Sequence, residues 1–210
     1  MHFFSSKTRG AHICGFTLIE LLISIAIITI ITAIVVVRYK QFDSTVLLKG
    51  AAYEVSLAIR DVQIKSVGAQ LSSGGVKLLY GIHFVPNQTF YKQFSFDPSI
   101  FPIVVTNTDP VYYDSVHTAD MLTTTLERRM TISDICVTSG GTEKCSADGV
   151  TSLDISFQRP EFKALIYAVG VTPPSGPFTE AKIKINSATE PTRVFVVTVS
   201  QLGQVSVSKQ

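Results

Sequence analysis

Residues 14–40 read CGFTLIELLISIAIITIITAIVVVRYK, and the 22 positions from Phe16 to Val37 carry a single charge, the carboxylate of Glu20. At about 1.5 Å per residue such a run crosses a hydrocarbon core of about 30 Å. Its Ile, Val and Thr are poor helix formers in water, but apolar surroundings force backbone groups to bond internally. The run reads as a transmembrane helix. A charge within it costs roughly 2.5–3.5 kcal/mol, so Glu20 asks for a reason.

The rest of the chain bounds the class. Its 210 residues suffice for one moderate domain plus an appended segment. The net charge of +2 comes from Lys7 and Arg9; without residues 1–15 there are sixteen basic and sixteen acidic residues. A neutral remainder gives no electrostatic case for nucleic acid as a partner. Cys14 precedes the apolar run, while Cys136 and Cys145 lie far beyond it. An isolated pair beyond a membrane segment suggests a disulfide in an oxidising compartment. Zinc fits less well, because no His neighbours the pair and two ligands do not close a site.

An ordinary secretory signal has an apolar stretch of about 7–15 residues and a small-x-small cleavage site; this run is longer and ends Ala-Ile-Val-Val-Val-Arg. A plain single-pass anchor fits the length but has no use for Glu20. Loop charges leave orientation open, with Lys7 and Arg9 on one side facing Arg38, Lys40 and Lys49 on the other.

The whole string, Lys7 and Arg9 followed by Gly15-Phe16-Thr17-Leu18-Ile19-Glu20-Leu21-Leu22, resembles the class III leader and cleavage site of type IV prepilins and pseudopilins. The resemblance implies cutting after Gly15 by a membrane-embedded prepilin peptidase, N-methylation of Phe16, and assembly with other pilin or pseudopilin subunits. It implies that Glu20 neutralises the N-terminal ammonium of a neighbouring subunit. Opposite charges attract strongly in low dielectric. The competing reading is a carboxylate snorkelling to the headgroups. Many family members carry a proline inside the apolar helix, and this run has none.

Beyond Val37, Leu48, Ala51, Ala52, Val55, Ile59 and Val62 recur every three or four residues and mark one helical face. Lys49, Glu54, Arg60, Asp61 and Lys65 fall largely between them. Gly50 is a weak point, costing about 1 kcal/mol relative to Ala, and Ser72-Ser73-Gly74-Gly75 ends the pattern. One helix from about Phe16 to about Gln70 is expected, with a break near Asp43-Ser44 as the alternative.

The remainder reads as short strands: Leu78 to Phe84, Thr89 to Phe96, Ile100 to Thr106, Leu122 to Ile132, Leu153 to Phe157, Ala164 to Val169, Ala181 to Ile185 and Phe195 to Ser200. Pro86-Asn87 is a hairpin turn and Val171 to Pro177 a loop. Arg193 to Val207 reads as strand, Gly203 turn and final strand; with Ser156-Phe157-Gln158-Arg159-Pro160 before it, this ending is similar to the head of FimT/GspH-type pseudopilins. Gly140-Gly141 lets the chain reverse between Cys136 and Cys145, so the sulfurs can meet across a hairpin-like loop. A reactive thiol is the competing reading.

No hydrolase elbow, zinc-protease pair or phosphate loop appears. Asp109, Asp114 and Asp120 could gather oxygens around Ca²⁺, but their spacing matches no defined loop, and turn-forming or solvated aspartates fit them better. No cofactor is expected beyond that. The tail, Val205 to Gln210, has one lysine and no arginine, too little for the cationic contacts that would take up DNA.

The expected fold is α+β and pilin-like: a long N-terminal helix, transmembrane in its first half, packed on a C-terminal antiparallel β-sheet head. Residues 1–15 would be the removed leader, 16–37 the transmembrane and assembly helix, 38–71 its amphipathic continuation and 76–210 the head. The expected function is a structural, non-enzymatic minor subunit of a type IV pilus or type II secretion pseudopilus. Its place would be the bacterial inner membrane, single-pass with the head outside the cytoplasm, and then the filament. The alternative is an anchored extracytoplasmic binding domain that never polymerises.

Overall fold

The computed structural model describes residues 16–68, 78–96, 113, 118–127, 130–157, 162–171, 177–188 and 190–210, without the side chains of 37–44 and 118–121. The chain is α+β. Helix α1 runs Leu18–Val67, and among the described residues ten strands follow it. Two compact units divide at Phe42/Asp43, inside α1.

In the first unit every side chain from Phe16 to Val36 is exposed. Leu18–Val36 is long and apolar enough to cross a membrane. Its hydroxyls bond within the helix: Ser24 Oγ donates to the Glu20 carbonyl at 2.8 Å, Thr29 to Ile25 at 2.8 Å and Thr32 to Ile28 at 2.7 Å. A surface with no unsatisfied hydroxyl is what a lipid-facing helix requires.

The second unit is built on two five-stranded antiparallel sheets. The first has the order β3-β2-β1-β6-β7, from β1 Leu79–Phe84, β2 Phe90–Phe96, β3 Thr118–Thr125, β6 Ser152–Phe157 and β7 Ala164–Val169. The second has the order β10-β9-β8-β4-β5, from β4 Met130–Ser139, β5 Thr142–Cys145, β8 Glu180–Ser187, β9 Glu190–Ser200 and β10 Val205–Lys209. One apolar cluster joins them with the expected face of α1, where Leu48, Ala51, Ala52, Val55, Ile59 and Val62 are all buried. From the sheets come Ile82, Phe84, Leu153, Ile155 and Phe157, then Ile132, Ile135, Ile183, Ile185 and Val197. Burying each such side chain contributes about 1.5–3 kcal/mol.

Polar ties fix α1 against both sheets. Gln93 Nε2 donates to the Ala58 carbonyl at 3.3 Å, and Ser66 Oγ to the Tyr80 carbonyl at 3.2 Å. Gln63 Nε2 reaches the Gly203 carbonyl at 3.1 Å, and the Arg193 guanidinium meets the Thr45 hydroxyl.

Several expectations need correction. The helix ends at Val67, before the flexible backbone of Gly68, rather than near Gln70; Ser72 to Gly75 lie outside the described residues. Leu122 to Ile132 is not one strand. It spans the end of β3 and the start of β4, which belong to different sheets, and Leu126 leaves the first by donating to the Thr89 carbonyl at 2.7 Å. Strand β4 continues to Ser139 through a register shift between Ile132 and Asp134. The inserted residue turns both Ile132 and Ile135 inward and hides the two-residue alternation. Expected strand Ile100 to Thr106 lies outside the described residues, as does most of the Val171 to Pro177 loop.

Both hairpin expectations hold. Pro86-Asn87 joins β1 to β2, with Asn87 in the left-handed region at φ 61°, which Asn tolerates. The closing β9–β10 hairpin turns at Gly203.

Candidate functional site

Helix α1 starts at the motif singled out in the sequence. Gly15 lies outside the described residues; Phe16 is 73% exposed. Thr17 precedes the first helical residue, its Oγ1 accepts the Glu20 N–H at 3.3 Å, and its carbonyl accepts the Leu21 N–H at 3.2 Å. Thr17 is therefore an N-cap, and Glu20 stands at the third helical position. Thr17-Leu18-Ile19-Glu20 follows the Thr-x-x-Glu pattern of a capping box, a signal in the sequence that a purely membrane reading of the stretch passes over. The Glu20 side chain is exposed in the first turn. There it also lies favourably with respect to the positive end of the helix dipole.

Two local reasons for an acid at position 20 are thus present, the open N–H groups of the helix start and the dipole. Each contributes of order 1 kcal/mol or less. Neither matches the roughly 2.5–3.5 kcal/mol that a buried charge costs in a bilayer. The carboxylate is exposed, close to the Phe16 end, and free to meet a group from outside this chain.

Residues 11–36 match the family model of the prokaryotic N-terminal methylation motif. Such a motif supports a pilin-like precursor with a class III signal peptide, and the match runs through the Gly15-Phe16 junction into the apolar helix. It supports the prepilin-type family for that part of the chain and leaves the head unassigned. No curated protein and no solved structure matches the chain.

In the head, Cys136 and Cys145 are bonded. They face each other directly across the β4–β5 hairpin, and Gly140 and Gly141 turn that hairpin at φ 56° and 79°. Left-handed backbone at two successive positions is what glycine permits at little cost. Cys136 is fully buried, and Asp134 lies beside the bridge. Asp134 accepts from the Ser146 N–H at 3.2 Å and the Lys184 ammonium at 2.9 Å. Burial pushes this carboxyl up, but the Ser146 and Lys184 hydrogen bonds outweigh it and hold Asp134 below the usual range. Asp134, Cys136 and Cys145 bring their potential ligand atoms within 4.8 Å, yet the sulfurs are spent on each other and the carboxylate on Lys184. This is a structural staple with an ion pair, not a metal cage.

Asp109 and Asp114 lie outside the described residues, as does the side chain of Asp120. His83, one of the two histidines beyond the leader, donates or accepts at Asp154 across the first sheet at 2.6 Å.

Proposed function

We propose that this chain is the precursor of a structural subunit of a type IV pilus or type II secretion pseudopilus. The observation that carries the proposal is the methylation motif set on a capped helix start, with exposed Glu20 three residues past Thr17. A prepilin peptidase cuts after Gly15 and methylates the new amine of Phe16. The subunit then waits in the inner membrane, with its head outside the cytoplasm, and enters the filament through its N-terminal helix.

Pairing between Glu20 and the Phe16 ammonium of a neighbour gives the carboxylate its use. Each charge offsets the other's desolvation, and leaving either alone costs about 3–5 kcal/mol. The Cys136–Cys145 bridge supports an oxidising compartment for the head. The closing β9–β10 hairpin supports a FimT/GspH-like minor subunit. The protein catalyses nothing in this reading; its working surface is α1.

Mass spectrometry of the protein from its native membrane tests the proposal. A mature terminus at N-methylated Phe16 is expected. A terminus at Met1, or one beyond Ala33, overturns it in favour of an anchor or an ordinary signal.

A further inference from the structure

The turn between β9 and β10 reads Gln201-Leu202-Gly203-Gln204, and its leucine is 75% exposed. Tight turns are ordinarily filled by Gly, Asn, Asp and Ser, which suit the turn backbone or bond to it. Leu202 does not stand alone. Phe162 is 53% exposed and Ile64 67%, and both adjoin the turn. Gln63 Nε2 donates to the carbonyls of Gly203 at 3.1 Å and Phe162 at 3.3 Å. Ile64 lines the cleft that Gly203, Gln204 and Val205 form against α1. Single exposed apolar residues are normal on a surface, whereas a gathered patch marks an interaction site.

The turn is also held still. The Gln201 N–H donates to the Thr179 carbonyl at 2.7 Å, and the Gln201 carbonyl accepts the Ala164 N–H at 2.9 Å. Across the turn, the Gly203 N–H donates to the Ser200 carbonyl and the Ser200 N–H to the Gln204 carbonyl, each at 2.9 Å. Gly203 takes φ 80°, and a Cβ there would collide with the Phe162 carbonyl. A surface so fixed loses little conformational entropy when a partner settles on it. Arg60 stands at the edge of the patch, exposed, with one 3.3 Å bond to the Val205 carbonyl. A guanidinium has five N–H donors, so most of its capacity is open. Among the described residues no acid lines the cleft.

We propose that this rigid turn docks a second, different protein, whose surface offers an apolar pocket to Leu202 and a carboxylate to Arg60. Leu202 and Phe162 are the anchors, and Gln63 and Gln204 belong to the polar rim. A bidentate pair between Arg60 and the carboxylate fixes the register. Charge decides the occupant. Two copies of this chain meeting through the same patch would set Arg60 against Arg60 with no acid between them. An anionic lipid surface is recognised by several Lys and Arg together, and Arg60 is the one cation lining the cleft among the described residues. One cation in an apolar frame is matched by one carboxylate in an apolar frame. The inference concerns the head alone and is independent of assembly through α1.

The test is photo-cross-linking of the full chain in its native membrane, with a benzophenone amino acid in place of Leu202 or Phe162. Val169, 42% exposed at the end of β7 away from Ala164, is the control position. Positions 202 and 162 should give the same single adduct, with a protein of different sequence, and position 169 should not. Leu202→Ser, read from position 162, and Arg60→Glu, read from position 202, should each lower the yield roughly tenfold. Mass spectrometry of the adduct then locates the partner's Asp or Glu beside the cross-link, and its replacement by Arg should restore the yield in Arg60→Glu. Oxidised Cys136–Cys145 in every variant shows that the head has folded. A dimer of this chain, a lipid adduct, no adduct, the same adduct from position 169, or a yield indifferent to Arg60→Glu would each overturn the proposal. A missing adduct beside Glu20-dependent filament entry removes this site alone.

Discussion

The His83 Nδ1 atom lies 2.6 Å from Oδ1 of Asp154, on the face of the first sheet turned away from the common core. Asp154 is only 1% exposed, and the Tyr113 ring sits 4.6 Å from the imidazole. Burial pushes the Asp154 carboxyl up; the bonds from His83 and the Tyr113 N–H oppose this without cancelling it. The folded head therefore binds more protons than the unfolded chain between the ordinary carboxyl value and the raised one. Through that window stability falls as pH rises, and above it the penalty is constant. Asp134 has the opposite sign, because its carboxyl is held low. Its contribution is present above the unfolded value and is lost as pH falls through the folded one.

Asp154→Asn should therefore stabilise the protein relative to wild type at neutral pH, and the gain should shrink toward about pH 4. Asp134→Asn should do the reverse, costing stability at neutral pH and little in acid. Denaturant midpoints in detergent at both pH values check the pair of signs. The same sign for both variants would contradict the account.

Removing the bridge with Cys136→Ser/Cys145→Ser frees a short loop in the unfolded chain. The chain-entropy estimate for a closure of this length is about 2.5–3 kcal/mol. The double variant should lose about that much in a denaturant titration, and alkylation before intact-mass measurement should find two more thiols in the wild type after reduction than before it. An unchanged midpoint would show that the pairing of β4 with β5 holds without it.

Gly81 has no room for a methyl group. A Cβ there would stand 2.2 Å from the tip of the Phe94 ring, which crosses the backbone from the neighbouring strand. Gly81→Ala should cost about 1–3 kcal/mol through overpacking. Phe94→Leu in the same chain should recover part of that loss, giving a coupling that a double-mutant cycle reads directly. Additive effects would contradict the contact.

Part of this architecture was plain in the chain of residues and part was hidden, for physical reasons. The buried face of α1 showed through because burial on one side repeats every three or four residues from Leu48 to Val62. The turn at Pro86-Asn87 and the hairpin between the two cysteines showed through because Pro, Asn and paired Gly have few other uses. The extent of β4 was hidden by the insertion at Ser133–Asp134, which interrupts alternation, and β5 by its mostly polar Thr142-Glu143-Lys144. At the helix start, the Thr17 cap is masked by the apolar run around it, where the capping signal and the membrane signal overlap.

The role of Glu20 separates the accounts most directly. Thr17→Ala removes the N-cap, worth about 0.5–2 kcal/mol to the helix start, but keeps the charge; it should leave filament entry largely intact. Glu20→Leu removes the charge, so insertion should ease by roughly 2.5–3.5 kcal/mol. If the carboxylate pairs with the Phe16 ammonium of the next subunit, that ammonium is left alone at a cost of about 3–5 kcal/mol. The deciding measurement is the amount of subunit in sheared filaments relative to membranes for Glu20→Leu, with the Cys136–Cys145 bridge as a folding control. The account predicts a sharp drop in filaments at undiminished membrane levels. Wild-type incorporation of Glu20→Leu would contradict it and leave a membrane-anchored head that does not assemble through its first turn.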